Sequence, residues 1–175
     1  FYTWPLKYYG LGEPAVLLVW GPLMVGGSYY VLAAQWRWEV TWLSLLFALG
    51  PTTVLFGKHT DKLEADRSKG VRTLPVIIGE GAARYCVVAM IGAQYLLSII
   101  LVLAGSFGWP LLLVLLNLPE LPRLLAVFRQ PKPEQPPNRY PDGVWPLWFS
   151  AHAFRHTRRF TSLFLVGVVL DSLLV

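Results

Sequence analysis

The chain has 175 residues, of which 55% are hydrophobic and only 14% charged, with a formal net charge of +5. Soluble domains carry about 25% charged residues, a deficit here too large for a big core to explain, and 14% aromatic residues exclude disorder. The single cysteine, Cys86, excludes a disulfide scaffold and a cysteine-ligated zinc site, which leaves lipid as the solvent that accepts so much apolar surface.

The first residues show no basic n-region or short apolar h-region of a signal peptide. The sequence therefore reads as a piece of a longer protein. Pro14 to Trp36 is a charge-free run of 23 residues, and Val40 to Gly57 is one of 18. A membrane-crossing helix needs roughly 20 apolar residues, so spans are expected at about 14–34 and 40–57. The 35-residue run Tyr85 to Pro119 is long enough for two more, at about 84–104 and 109–128, with Gly105 to Pro110 as the turn. A fifth is expected at 160–175, apolar apart from polar positions that include Asp171. A buried core helix could account for any one run, but not for four in so short a chain. The predicted fold is all-α, a polytopic transmembrane helical bundle forming a single domain over 1–175.

With these spans, 14 of the 15 Lys and Arg residues fall on one side, and only Arg37 lies opposite. That asymmetry marks the richer side as cytoplasmic. The same placement argues against nucleic-acid binding, because the basic residues sit in loops between spans.

Two hydrophilic segments interrupt the pattern. The second, 129–145, has five prolines between Gln130 and Pro141 and reads as an extended linker. The first, 58–76, carries the chemistry. Asp61, Glu64 and Asp66 lie within six residues, interleaved with Lys58, Lys62, Arg67, Lys69 and Arg72. Carboxylates suit Mg²⁺, which retains water and bridges to substrate phosphate, and the cations can neutralise phosphate charge. Such a site in a membrane suits a substrate with a diphosphate head and a lipid tail. The competing reading is an ion-paired helix end, with Lys58–Asp61 at i,i+3 and Lys62–Asp66 at i,i+4.

Other residues read more simply. Cys86 is expected to pack, and Trp36, Trp38 and Trp42 to form an interfacial belt. His152 and His156, at i,i+4, could bind a metal if helical, although neighbouring Arg155, Arg158 and Arg159 favour lipid headgroups. Asp171 is expected to face other helices or the far surface. Glu120 and Arg123 can pair near a Pro119/Pro122 kink.

The stretch Asp66 to Val76, Asp-x-x-x-Gly-x-Arg-Thr-Leu-Pro-Val, resembles the second aspartate-rich motif of the UbiA superfamily of membrane prenyltransferases. The segment Tyr2 to Glu13, with Gly21-Pro22 and Tyr29-Tyr30 after it, resembles the entry to the fifth span of the menaquinone branch, whose members prenylate 1,4-dihydroxy-2-naphthoate. The resemblance is good over residues 1–80 and rests mainly on span pattern beyond. It implies that the five spans correspond to helices 5–9 of a nine-helix fold and that the chain is the C-terminal half, inactive by itself. The partners implied are the N-terminal half of the same chain, a polyprenyl diphosphate, an aromatic acceptor and membrane lipid. The location implied is a bacterial or archaeal plasma membrane, with loop 58–76 cytoplasmic.

The resemblance further implies that Asp61, Glu64 and Asp66 are catalytic and hold Mg²⁺, while Lys7, Lys58, Lys62 and Arg72 bind the diphosphate. Tyr2 and Tyr8, with Tyr9 nearby, would present aromatic faces to an allylic cation; their competing reading is an interfacial belt. In register with the family, its first acid falls on Lys62, and Asp61 comes one residue early. Acids at i,i+5 are about 140° apart on a helix, so Asp61 and Asp66 could share an ion only if the segment unwinds near Glu64. A non-catalytic membrane protein or transporter piece derived from the same fold is the alternative.

Overall fold

The structure is a computed structural model that describes residues 5–138, 140–141 and 143–174. All its regular elements there are helical. After a short turn at Leu6–Tyr8, helix α1 spans Gly12–Ala33 and α2 spans Trp38–Asp61. Two short helices follow, α3 (Leu63–Ser68) and α4 (Leu74–Ile78). The long helices α5 (Glu80–Leu103), α6 (Trp109–Arg129) and α7 (Trp148–Leu174) complete the fold. Helices α1, α2, α5 and α6 are each long and apolar enough to cross a membrane.

Helix α2 lies at the centre, packed against α1, α5 and α7. Its sequence explains this position, because the buried face is built from small residues such as Ser44, Ala48, Gly50, Thr53 and Gly57. Small side chains let helix backbones approach where no water drives association. The hydroxyls on this face return to their own helix: Ser44 Oγ donates to the Thr41 carbonyl at 2.7 Å and Thr52 Oγ1 to the Ala48 carbonyl at 2.8 Å. Gly21 of α1 closes on the same helix, since a Cβ there would lie 3.0 Å from the Ser44 carbonyl oxygen.

Prolines shape two helices. Around Pro22, residues Val19–Gly26 of α1 widen into π-helical turns, which relieves the clash of a ring with the preceding turn. In α6, Pro110 and Pro119 accompany a tighter winding over Trp109–Glu120, before regular α-helix resumes at Leu121. The Glu120–Arg123 pair forms there at 3.7 Å, and Arg159 joins it at 2.9 Å.

The core contains Leu46, Phe56, Val87, Ile91, Val114, Phe149 and Phe160. Around it, Leu32 is 87% exposed and Leu103 82%, the outward apolar surface expected of a bundle solvated by lipid.

The last helix differs from its expected extent. It begins at Trp148 instead of 160 and runs for 27 residues. Its polar first half escaped a reading based on apolar runs, because Phe149, Ala153, His156 and Phe160 are buried by packing, not by lipid. Asp171, near its other end, accepts the Gly108 N–H at 2.8 Å and so caps the start of α6.

Candidate active site

The acidic segment begins where α2 stops. Lys62, at φ −108° and ψ 13°, interrupts the helix between Asp61 and Leu63, two residues before the expected break. Helix α3 then carries Glu64 and Asp66. It ends at Ser68, and Gly70, just beyond the Lys69 cap, takes a φ of 68° that suits a residue without a side chain. The Asp66 carbonyl accepts the N–H groups of Lys69 (3.2 Å) and Val71 (2.9 Å), closing the turn.

The entry segment meets this turn directly. Glu13, 0% exposed, places Oε1 2.6 Å from His59 Nδ1 in the last turn of α2. Its Oε2 accepts the Leu74 N–H at 3.4 Å, at the start of α4. Gly10, at φ 68°, lies against Leu74 and Ile77. Residues far apart in sequence are thus joined at one end of the bundle.

The expected site residues occupy this end unequally. Lys58, Lys62, Glu64 and Arg72 are exposed, and Asp66 is half-buried with no side-chain hydrogen bond among the described residues. Lys7 is exposed and its Nζ lies 5.1 Å from the centre of the Tyr8 ring. Tyr8 is 40% exposed and Tyr9 70%. Tyr2 lies outside the described residues. Glu64 pairs with Arg67 at 2.9 Å. The expected Lys58–Asp61 and Lys62–Asp66 pairs do not form.

Asp61 faces elsewhere. Its Oδ1 accepts the Phe149 N–H and its Oδ2 the Ser150 N–H, both at 2.9 Å, in the first turn of α7. Lys132, in the proline-rich segment, bonds the Asp61 carbonyl at 3.4 Å and the Pro146 carbonyl at 2.5 Å. Tyr140 donates to the Leu147 carbonyl at 2.8 Å. Burial, with the nearby Asp61 carboxylate, pushes its phenol above the usual range.

Among the described residues, no three His, Cys, Asp or Glu side chains gather to hold a metal. The expected cradle of Asp61, Glu64 and Asp66 is therefore not assembled, because Asp61 is committed to α7. Asp66 alone still fits Mg²⁺ in its usual form, held by a carboxylate with water and substrate phosphate completing the shell. Glu64, two residues earlier on the same helix, points about 160° away and pairs with Arg67. His156 also turns from metal: its Nε2 lies 3.0 Å from the Tyr95 hydroxyl.

Sequence reasoning missed Glu13 and Lys132. Glu13 did carry a signal, as an acid at the mouth of a 23-residue charge-free run.

Residues 1–151 match the UbiA prenyltransferase family. The chain is 28% identical over 135 residues to a 2-carboxy-1,4-naphthoquinone phytyltransferase of Synechocystis sp., covering 76% of this chain and 44% of that protein. It is 32% identical over 117 residues to a digeranylgeranylglyceryl phosphate synthase of Methanopyrus kandleri, covering 66% of this chain and 42% of that one. A UbiA prenyltransferase domain-containing protein 1 homolog of Drosophila melanogaster is 28% identical over 123 residues, covering 70% and 34%. The chain thus spans less than half the length of these relatives. No solved structure matches it.

Proposed function

The chain belongs to the UbiA prenyltransferase family, and from that premise we propose that it forms part of an integral-membrane enzyme that transfers a polyprenyl group from an allylic diphosphate to an aromatic acceptor. The acceptor class proposed is a dihydroxynaphthoate or related ring of quinone biosynthesis. The observation that carries this reading is the meeting of the entry segment with the Asp66 loop through Glu13, His59 and Leu74.

In this reading Asp66 is the carboxylate that would hold hydrated Mg²⁺, with Glu64 turned away to Arg67, and when bound the ion would supply Lewis-acid and template chemistry for the departing diphosphate. Lys7, Lys58, Lys62 and Arg72, all exposed at this end, hold phosphate oxygens as charge builds on them. The allylic C–O bond breaks, a C–C bond forms to the ring, and the ring loses a proton. Tyr8, and Tyr2 six residues before it in sequence, offer aromatic faces to the cation. The loop is placed on the cytoplasmic side of a bacterial or archaeal membrane, and the first aspartate motif on an N-terminal half of the same protein. The alternative, a non-catalytic relative, draws on the exposed Glu64–Arg67 pair.

The test is turnover by the complete protein in lipid nanodiscs, with a polyprenyl diphosphate, 1,4-dihydroxy-2-naphthoate and Mg²⁺. Mass spectrometry should detect the prenylated ring and free diphosphate. Absence of product from this and other aromatic acceptors, with wild-type protein folded, would overturn the reading.

A further inference from the structure

We propose that Asp61 is a positioning residue, a helix cap supplied to α7 from the end of α2, and not a metal ligand. The inference refines the proposed diphosphate site and rests on that reading only for its consequence, not for its geometry.

The first N–H groups of any helix lack partners within it, and a side-chain oxygen satisfies those of the second and third residues best. In α7 these are Phe149 and Ser150. Leu147, just before the helix, has no side-chain oxygen to offer. Asp61 supplies one oxygen to each, at 2.9 Å. Both N–H groups are in buried residues, Phe149 at 0% exposure and Ser150 at 8%, so water is a poor substitute.

The approach is built into α2. Gly57 lies one turn before Asp61 on the same face, and a Cβ there would lie 2.8 Å from the Ser150 nitrogen. The missing side chain lets the first turn of α7 rest on α2, and Asp61 then reaches its amides. Lys132 ties the proline-rich segment to the same corner through the Asp61 and Pro146 carbonyls.

This environment opposes a divalent cation. The helix N-terminus presents roughly half a positive charge, and the Lys132 ammonium stands beside it. A cation reaching the remaining lone pairs of Asp61 would meet both. Asp61 thus acts through others: it holds α7 and the proline-rich segment against the α2–α3 corner from which Glu64 and Asp66 project.

The experiment compares Asp61→Ala, Asp61→Asn and Asp66→Asn in the complete protein. It reads hydrogen exchange over residues 148–152, and Mn²⁺ affinity in the presence of inorganic pyrophosphate. Asp61→Ala should raise exchange at Phe149 and Ser150 about tenfold and leave Mn²⁺ affinity within twofold. Asp61→Asn, which keeps one acceptor oxygen for one of the two N–H groups, should recover about half of the lost protection on a logarithmic scale. Asp66→Asn should weaken Mn²⁺ about tenfold with exchange unchanged.

Tenfold loss of Mn²⁺ affinity in Asp61→Asn, with exchange intact, would overturn the proposal by making Asp61 a ligand. Unchanged exchange in Asp61→Ala would overturn it by removing the cap. If Asp61→Ala does not fold, Asp61→Asn decides through its Mn²⁺ affinity. Failure of the prenyl-transfer reading shows separately, as wild-type Mn²⁺ affinity in Asp66→Asn, and leaves the exchange result standing.

Discussion

Glu13 and His59 form a buried pair, with Oε1 2.6 Å from Nδ1 and the carboxylate side chain only 1% exposed. The contact joins α1 to the last turn of α2, and through Leu74 to α4. Removing one partner costs about 1–3 kcal/mol, because the other loses its side-chain hydrogen bond away from water. His59→Ala and Glu13→Ala should each lower thermal stability in detergent by an amount in that range. The double variant should cost at least about 1 kcal/mol less than the sum. Additive losses would mean that the two side chains do not interact.

Gly57→Ala should be costly and Gly92→Ala should not. A Cβ at Gly57 meets backbone at 2.8–2.9 Å, whereas at Gly92 nothing lies within 4 Å. Overpacking against backbone costs about 1–3 kcal/mol. Alanine in an open helix interior instead gains roughly 0.5–1 kcal/mol. Opposite shifts in the unfolding midpoint are expected, and equal shifts would contradict the close α2–α7 approach.

Asp66→Ala in the complete protein should lower kcat/KM at least about a hundredfold, the several kcal/mol that metal charge stabilisation supplies. The variant should fold normally, since the Asp66 side chain makes no hydrogen bond among the described residues. A wild-type rate in a folded Asp66→Ala protein would remove Asp66 from the site.

Lys62→Asp places a second acid one helical turn before Asp66, whose N–H already bonds the Lys62 carbonyl at 2.8 Å. Side chains at i,i+4 are neighbours, so Mn²⁺ affinity should rise severalfold. Diphosphate affinity should fall as the cation is lost. Unchanged Mn²⁺ binding would show that position 62 points away from the ion.

The acidic loop should be cytoplasmic, because 14 of 15 basic residues fall on its side of the expected spans. A cysteine at Ser68, in a cysteine-free background including Cys86→Ala, should resist a membrane-impermeant thiol reagent on intact cells. Ser68 is exposed on the protein, so rapid labelling from outside would reverse the orientation.

What the amino-acid sequence determined by itself is the solvent and the frame. Charge-free runs around Pro14–Trp36, Val40–Gly57 and Tyr85–Pro119 become four apolar helices of spanning length, because backbone amides in lipid must be satisfied within a helix. The Asp66–Val76 motif and the entry segment identified the family for the same local reason: each is a continuous string of residues. The half-polar α7 and the partners of Asp61 and Glu13 were decided only by tertiary structure. An acid followed by cations looks alike in sequence whether it binds an ion, pairs with lysine or caps a helix. Asp61 became a cap because Gly57 lets Phe149 and Ser150, nearly ninety residues along the chain, bring two unpartnered amides to its oxygens.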